Sequence, residues 1–143
     1  MATVRQPDRR LVGEDWYRQT AAGIELLVSD CNTCGRRWFP PRRACSSCAS
    51  TDLTRTHTGA RGIAYASSKV HVGGAPWPKE YVLSYIDIDG VRVLMHTDSD
   101  QALAPDTPVT VALGHIGTDG TTELWSYTAH PVSNDVESPE VTS

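Results

Sequence analysis

The chain has 143 residues, a formal net charge of −4 and 39% hydrophobic residues. This length allows one or two small domains, and the negative charge argues against a general affinity for nucleic acid. No apolar run approaches the roughly 20 residues of a membrane-spanning helix. The polar start of the chain shows no apolar segment typical of a signal peptide, so we expect a cytoplasmic protein.

The first 23 residues predict a tail followed by a short helix. Residues 1–12 are polar and show no periodicity, which is typical of a flexible tail. Over residues 13–23, Glu14 and Asp15 suit a helix start and Gly23 suits its end. On this helix, Trp16 and Tyr17 would pack either on the chain's own core or on another subunit, and we treat both as candidate partner contacts.

Residues 24–52 predict a zinc ribbon. A strand over residues 24–30 leads into Cys31-Asn-Thr-Cys34-Gly35, a second strand follows over residues 36–40, and Cys45-Ser-Ser-Cys48 completes the unit. These two pairs contain all four cysteines of the chain. Paired C-x-x-C turns bring four thiolates to one tetrahedral metal, usually zinc, and a site closed by four protein ligands is structural. Two disulfides or bound iron are the alternatives, and a reducing compartment disfavours disulfides.

Four arginines lie between the cysteine pairs. A zinc ion with four thiolates carries a formal charge of about −2, and these arginines would neutralise that charge. Alternatively they would grip a phosphate or an acidic partner surface, and we treat Arg36 and Arg37 as candidate contacts for a partner or ligand. The other two are Arg42 and Arg43.

Residues 53–131 predict a small β-barrel, followed by a disordered acidic tail over residues 132–143. Asp89-Gly90 is typical of a tight hairpin between two alternating strands. A five-stranded Greek-key barrel of the OB type fits best, with an SH3-like barrel as the alternative. Trp77, in a loop rich in glycine and proline, is a further candidate contact. The predicted strands cover residues 53–59, 62–72, 81–89, 91–98, 108–113 and 121–128.

The fold predicted from these elements is mainly β: an N-terminal helix, a rubredoxin-like zinc ribbon and an OB-type barrel. Motifs for a nucleophile elbow, a phosphate loop, a dinucleotide site or a zinc protease do not occur in the sequence. The five histidines stand without a carboxylate at a telling spacing, and His71, beside the Trp77 loop, is the strongest of these weak candidates for a catalytic base. We expect no catalytic activity of the chain alone.

The order of these motifs resembles a family of zinc-ribbon/OB-fold proteins associated with acyl-CoA metabolism and formerly described as a domain of unknown function. The resemblance covers residues 14–131 and rests on the two cysteine pairs, on Trp38-Phe39-Pro40-Pro41-Arg42, on Thr58-Gly59-x-x-Gly62, and on the run from Asp89 to Leu94. Two features depart from the family pattern: Ser46 stands where proline is usual, and the Trp77 loop differs from the commoner short connection.

The resemblance implies a non-catalytic accessory subunit. Such a subunit would bind and stabilise a thiolase-like acyl-CoA enzyme (a thiolase, aldolase or acyltransferase) or a MaoC-like hydratase in a hetero-oligomer, and would help to shape the acyl-CoA channel. The alternative is a module that binds single-stranded nucleic acid, because aromatic side chains stack on bases. A stand-alone acyltransferase or lyase that uses His71 is the weakest hypothesis.

Overall fold

The computed structural model describes residues 8–71 and 74–132, and the described residues form ten β-strands and no helix. None of them therefore provides a helix that could cross a membrane. The strands are β1 (Asp8–Leu11), β2 (Tyr17–Thr20), β3 (Gly23–Cys31), β4 (Arg37–Trp38), β5 (Leu53–His57), β6 (Arg61–Val70), β7 (Tyr81–Ile88), β8 (Val91–Thr97), β9 (Pro108–Asp119) and β10 (Thr122–Pro131).

Five of these strands close into a barrel. Strands β6, β7 and β8 form an antiparallel meander, β9 returns to pair with β6, and β10 pairs with both β9 and β8. The spatial order β9-β6-β7-β8 is that of a Greek key. The contact between β10 and β8 is parallel and short, joining Thr128 to His96 and Ala129 to Thr97. Every second residue of β7 and β8 points into the core, as expected for strands with one buried face.

Strand β3 connects the barrel to the cysteine pairs. Its first half pairs with β2, and its second half pairs with β4 and β5. Ile24, Leu26 and Val28 are fully buried and belong to the same core as the barrel residues. The strand then ends at Cys31. The ribbon is therefore an extension of a strand whose other end is fixed in the barrel core.

The predicted helix over residues 13–23 is wrong. Tyr17–Thr20 form strand β2, which pairs with β3 from Tyr17 opposite Leu26 to Thr20 opposite Gly23. Only Ala21 and Ala22 separate the paired residues, so this segment is a two-residue hairpin. Gly23, predicted to end a helix, has a φ of 143° at the start of β3. Pairing with β3 outweighs the acidic start that favours a helix.

Two other segments differ from the predicted strand pattern. Within residues 1–12, predicted as a tail, Asp8–Leu11 form β1, which pairs in parallel with β10. Strand β9 continues to Asp119, six residues beyond its predicted end. The prediction stopped at Leu113 because Gly114 and Gly117 are poor strand formers. Residues 1–7 and the predicted tail beyond residue 132 lie outside the described residues.

Candidate metal centre and surrounding surfaces

The two C-x-x-C turns have the same backbone hydrogen bonds. In the first, the Gly35 amide donates to the carbonyl of Cys31 at 2.9 Å, and in the second the Ala49 amide donates to that of Cys45 at 2.8 Å. Gly35 has a φ of 81° and Ala49 a φ of 65°. A left-handed backbone suits glycine and strains alanine. The second turn thus reproduces the first despite a less suitable residue.

The four sulfur atoms converge on one point. All four Sγ atoms lie within 4.8 Å of one another, with Cys31 and Cys48 3.6 Å apart and Cys34 and Cys45 3.5 Å apart. The cysteines are free, so the disulfide alternative does not describe this arrangement. Zinc–sulfur bonds of about 2.3 Å in a tetrahedron require sulfur atoms about 3.8 Å apart. The four cysteines are positioned to bind a metal ion.

The groups around the sulfurs also suit bound thiolates. The amides of Cys34 and Ser47 point at the sulfurs of Cys31 and Cys45, each at 3.4 Å. The indole Nε1 of Trp38 is buried without a hydrogen-bond partner among the described residues, and the indole lowers the pKa of the Cys45 thiol. A buried N–H group without an acceptor is costly, whereas a metal-bound thiolate at Cys45 would accept it. Donors of this kind stabilise ligand charge.

The thiols of the second cysteine pair differ in their pKa. Burial acts to raise the pKa of Cys45, but amides of its own turn and the Trp38 indole outweigh burial and lower this pKa to about 6. For Cys48, a backbone hydrogen bond from Ser50 acts to lower the pKa, yet burial and the neighbouring thiols raise it to about 12. Four adjacent thiolates repel one another, and a divalent cation removes this repulsion. When bound, zinc would supply structural cross-linking of the two turns.

The arginines between the cysteine pairs differ in their surroundings. Arg37 forms a two-pronged ion pair with Asp30, with N–O distances of 2.6 and 2.9 Å, and also donates to the backbone carbonyl of Asp89 at 2.8 Å. It therefore ties the ribbon to the β7–β8 hairpin of the barrel. Arg42 lies over the Trp38 ring at 5.0 Å. Arg36 is exposed, and no salt bridge involves it among the described residues.

The aromatic residues proposed as partner contacts pack against other aromatic side chains of the chain, and Tyr17 also packs against its core. Trp16 meets Phe39 edge to face at 6.1 Å, and Tyr17 meets Tyr127 at 5.8 Å. Trp77 packs beside His96, with ring centroids 5.7 Å apart. All three predicted contacts are half-buried. The structure thus realises the packing alternative for Trp16 and Tyr17, and their contact with a partner stays a prediction.

Two histidines have carboxylate partners that the linear sequence did not indicate. His71 Nδ1 lies 3.0 Å from Glu80, and His130 Nδ1 lies 3.2 Å from Asp98. His130 Nε2 is buried and has no hydrogen-bond partner among the described residues. His71 is exposed on the Trp77 loop side. These pairs result from strand pairing and loop closure, which sequence spacing does not show.

One surface of the barrel was missed by the sequence analysis. Ile63, Tyr65, Tyr85 and Leu94 are 43–53% exposed and are the exposed large hydrophobic side chains among the described residues. They lie on the outer side of β6, β7 and β8, and we call this surface the β6–β8 face. A signal was present in the sequence, because Tyr85 and Leu94 alternate with the apolar residues that are buried in β7 and β8. Successive side chains of a strand point to opposite faces of the sheet. A strand with apolar residues at both odd and even positions therefore has two apolar faces.

Comparisons with known proteins agree with this geometry. Residues 21–54 match the family model described as ChsH2, rubredoxin-like zinc ribbon domain. The chain is also similar to a solved structure described as the Ltp2-ChsH2(DUF35) aldolase, with a TM-score of 0.57 and 18% sequence identity over 73% of this chain and 84% of that chain. Residues 21–54 are thus a zinc ribbon of the predicted kind, and the structural likeness extends the shared fold beyond the ribbon.

Proposed function

We propose that the chain is a non-catalytic, zinc-binding accessory subunit of a thiolase-like acyl-CoA enzyme. It would bind and stabilise a thiolase, aldolase or acyltransferase and help to shape its acyl-CoA channel. The observation that carries the proposal is the likeness of ribbon and fold to ChsH2(DUF35), in a structure whose description couples that protein with Ltp2 as an aldolase. A MaoC-like hydratase is a second class of partner that the family resemblance implies.

The metal centre supports a structural role for zinc. Four cysteines fill a tetrahedral coordination sphere, and a catalytic zinc needs an open position for water or substrate. The centre also lies at the end of β3, whose start is fixed in the barrel core. Zinc at this point would hold the ribbon in one orientation relative to the barrel and so present a rigid surface to the partner.

The proposed domain plan keeps the predicted ribbon over residues 24–52 and barrel over residues 53–131, although β5, at the start of the second range, pairs with β3 of the ribbon. The two parts are linked by the Phe39–Tyr127 ring contact and by the Arg37 hydrogen bond to Asp89. Arg36 is exposed and forms no salt bridge among the described residues, so it is available to a coenzyme A phosphate. A subunit with these links would bind its partner as one unit.

Single-stranded nucleic acid is the second candidate ligand, and the β6–β8 face is the observation that favours it. OB barrels bind oligonucleotides on the equivalent strands, and Tyr65 and Tyr85 are exposed there. Against it, Asp87 already neutralises Arg92 at 2.6 Å, whereas binding to single strands needs a basic groove along the phosphates. Anisotropy of a labelled dT20 oligonucleotide decides the matter: sub-micromolar affinity that falls steeply with salt would favour nucleic acid.

Pairwise co-expression tests the proposed function. The chain would be co-expressed with each thiolase-like protein of its host and analysed by size-exclusion chromatography with light scattering. We expect one of these proteins to co-elute with the chain at micromolar concentration. Separate elution of every pair would contradict the proposal. A chain in which Cys45 and Cys48 are both replaced by serine serves as the control for dependence on the metal centre.

A further inference from the structure

The β6–β8 face is continuous across three neighbouring strands. Tyr85 and Leu94 are directly opposite each other in the β7–β8 register, and Tyr85 is opposite Ala66 in the β6–β7 register. A register shift between Ala64 and Ala66 marks a β-bulge at Tyr65, and a bulge redirects side chains locally. The exposed side chains therefore form one patch on neighbouring strands.

A cation–π contact and an ion pair hold Tyr65 of this patch in place. The guanidinium of Arg92 lies 3.4 Å from the centre of the Tyr65 ring and forms hydrogen bonds of 2.6 and 3.1 Å with Asp87. These contacts fix Tyr65 and Arg92 before any partner arrives. A preorganised aromatic surface loses little conformational entropy on binding, and exposed aromatics with arginine are the residues that most often dominate interface energies.

The size of the patch suits the centre of a protein interface. Four large apolar side chains, each about half exposed, leave on the order of 400 Å² of apolar surface in water. A stable interface buries roughly 800 Å² on each partner. The patch would supply about half of this area, with surrounding polar residues as the rim.

We propose that the β6–β8 face is the surface by which the chain docks on its partner enzyme, and that the partner offers an apolar strip bordered by carboxylates. This inference rests on the proposed function. Charge supports it: Arg61 is exposed and forms no salt bridge among the described residues, so its guanidinium is available to a carboxylate of the partner.

The same charges disfavour the other occupants. In a symmetric dimer the face would meet a copy of itself, on which the carboxylate of Asp87 is already paired with Arg92 at 2.6 Å. For a nucleic acid, the face offers only one arginine that is not paired with a carboxylate among the described residues. It also carries the aliphatic side chains of Ile63 and Leu94 at positions where bases would need stacking partners. A partner protein with apolar side chains inside an acidic rim would bury the patch and would pair with Arg61.

Leu94→Glu tests the docking surface. It places a negative charge at the centre of the patch, on an exposed side chain that the fold does not need. We expect the variant to melt within a few degrees of the wild type and to bind the co-expressed thiolase-like enzyme at least about 30-fold more weakly. Thr121→Glu, which adds the same charge at the exposed β9–β10 turn, is the matched control and should bind normally.

A second measurement does not depend on the folding of Leu94→Glu. A photoreactive benzoylphenylalanine at position 85 should cross-link to the enzyme, whereas the same group at position 121 should not. If the wild type binds the enzyme, but Leu94→Glu binds equally well or position 85 gives no cross-link, the docking surface is wrong while the proposed function stands. If the wild type binds no thiolase-like protein of the host, the proposed function itself fails and the inference fails with it.

Two other outcomes would also overturn the inference. A wild-type chain that is dimeric alone and becomes monomeric as Leu94→Glu would assign the face to self-association. Sub-micromolar binding of dT20 that is lost in Tyr85→Ala would assign it to nucleic acid.

Discussion

The Phe39 ring, between the two cysteine pairs, meets the Tyr127 ring of β10 edge to face, with centroids 6.1 Å apart. Tyr127 also contacts Tyr17, and its hydroxyl accepts a hydrogen bond from the Trp16 amide at 3.0 Å and donates to the carbonyl of Glu14. One barrel residue therefore joins the N-terminal hairpin and the ribbon to the barrel. Burial raises the pKa of Tyr127 to about 12, so the hydroxyl keeps the proton that it donates.

Tyr127→Phe should lower the free energy of unfolding by about 1 kcal/mol, because it removes the partner of the Trp16 amide while keeping the ring contacts. Urea denaturation followed by tryptophan fluorescence measures this change. Tyr85→Phe is the matched control: its hydroxyl is exposed and its loss should change stability little. Equal effects of the two substitutions would show that the Tyr127 hydroxyl does not join the segments.

Trp38→Phe should weaken metal binding, since it removes the indole N–H that would donate to a metal-bound Cys45 thiolate and keeps an aromatic ring. Loss of an outer hydrogen bond to a ligand commonly lowers metal affinity by about 10-fold or more. Competition with a chromogenic chelator measures the affinity, and the sulfur-to-metal charge-transfer band of the cobalt-substituted protein should shift to lower energy. Trp16→Phe should leave both readouts unchanged, and unchanged values in Trp38→Phe would contradict the assigned donor.

Matched substitutions in the two C-x-x-C turns should have opposite effects on stability. Gly35→Ala should destabilise the chain by about 1 kcal/mol, because alanine is strained at a φ of 81° while its added methyl would meet no atom within 4 Å. Ala49→Gly should relieve the same strain, with a gain of at most about 1 kcal/mol after the entropy cost of glycine. Thermal unfolding of the zinc-loaded protein checks both. Stabilisation by Gly35→Ala would contradict this account.

Because His96 is partly buried, we expect the protein to lose stability as the pH falls below 6.5. Burial lowers the pKa of its imidazole below the ordinary value of 6.5, where it packs between Trp77 and Tyr81. Below pH 6.5 the unfolded chain takes up the proton before the folded chain does, so stability falls as the pH decreases towards the lower, folded pKa. The loss should be at most about 1 kcal/mol because the ring is partly solvated.

Melting temperatures of the wild type and His96→Gln between pH 5 and 7.5 check this prediction. The difference between the two proteins should shift in favour of the variant as the pH falls, which cancels any acid effect that they share at the metal centre. An NMR titration that places the His96 pKa at or above its ordinary value would contradict it.

Local signals were enough to predict the metal centre and the central hairpin. The spacing of Cys31, Cys34, Cys45 and Cys48 determines two turns whose geometry depends on few other residues, and Asp89-Gly90 forms the predicted turn between β7 and β8. These features require no knowledge of distant parts of the chain.

The features that the sequence did not predict depend on pairing between segments, which the propensity of a single segment does not show. Tyr17–Thr20 follow Glu14 and Asp15, an acidic start that favours a helix, and pairing with β3 makes them a strand. Likewise, β9 extends through Gly114 and Gly117 because β10 pairs with it along its length. The carboxylate of Glu80 reaches His71 only after the Trp77 loop has closed. Such contacts stabilise strands and loops that the local residue propensities alone do not favour.

Turnover by the thiolase-like enzyme, measured alone and with increasing amounts of the purified chain, tests the accessory role most directly. We predict that the chain alone turns over no acyl-CoA substrate and that it raises the enzyme's activity or heat resistance to a plateau. Unchanged behaviour of the enzyme at saturating chain, or efficient turnover by the isolated chain, would contradict the account.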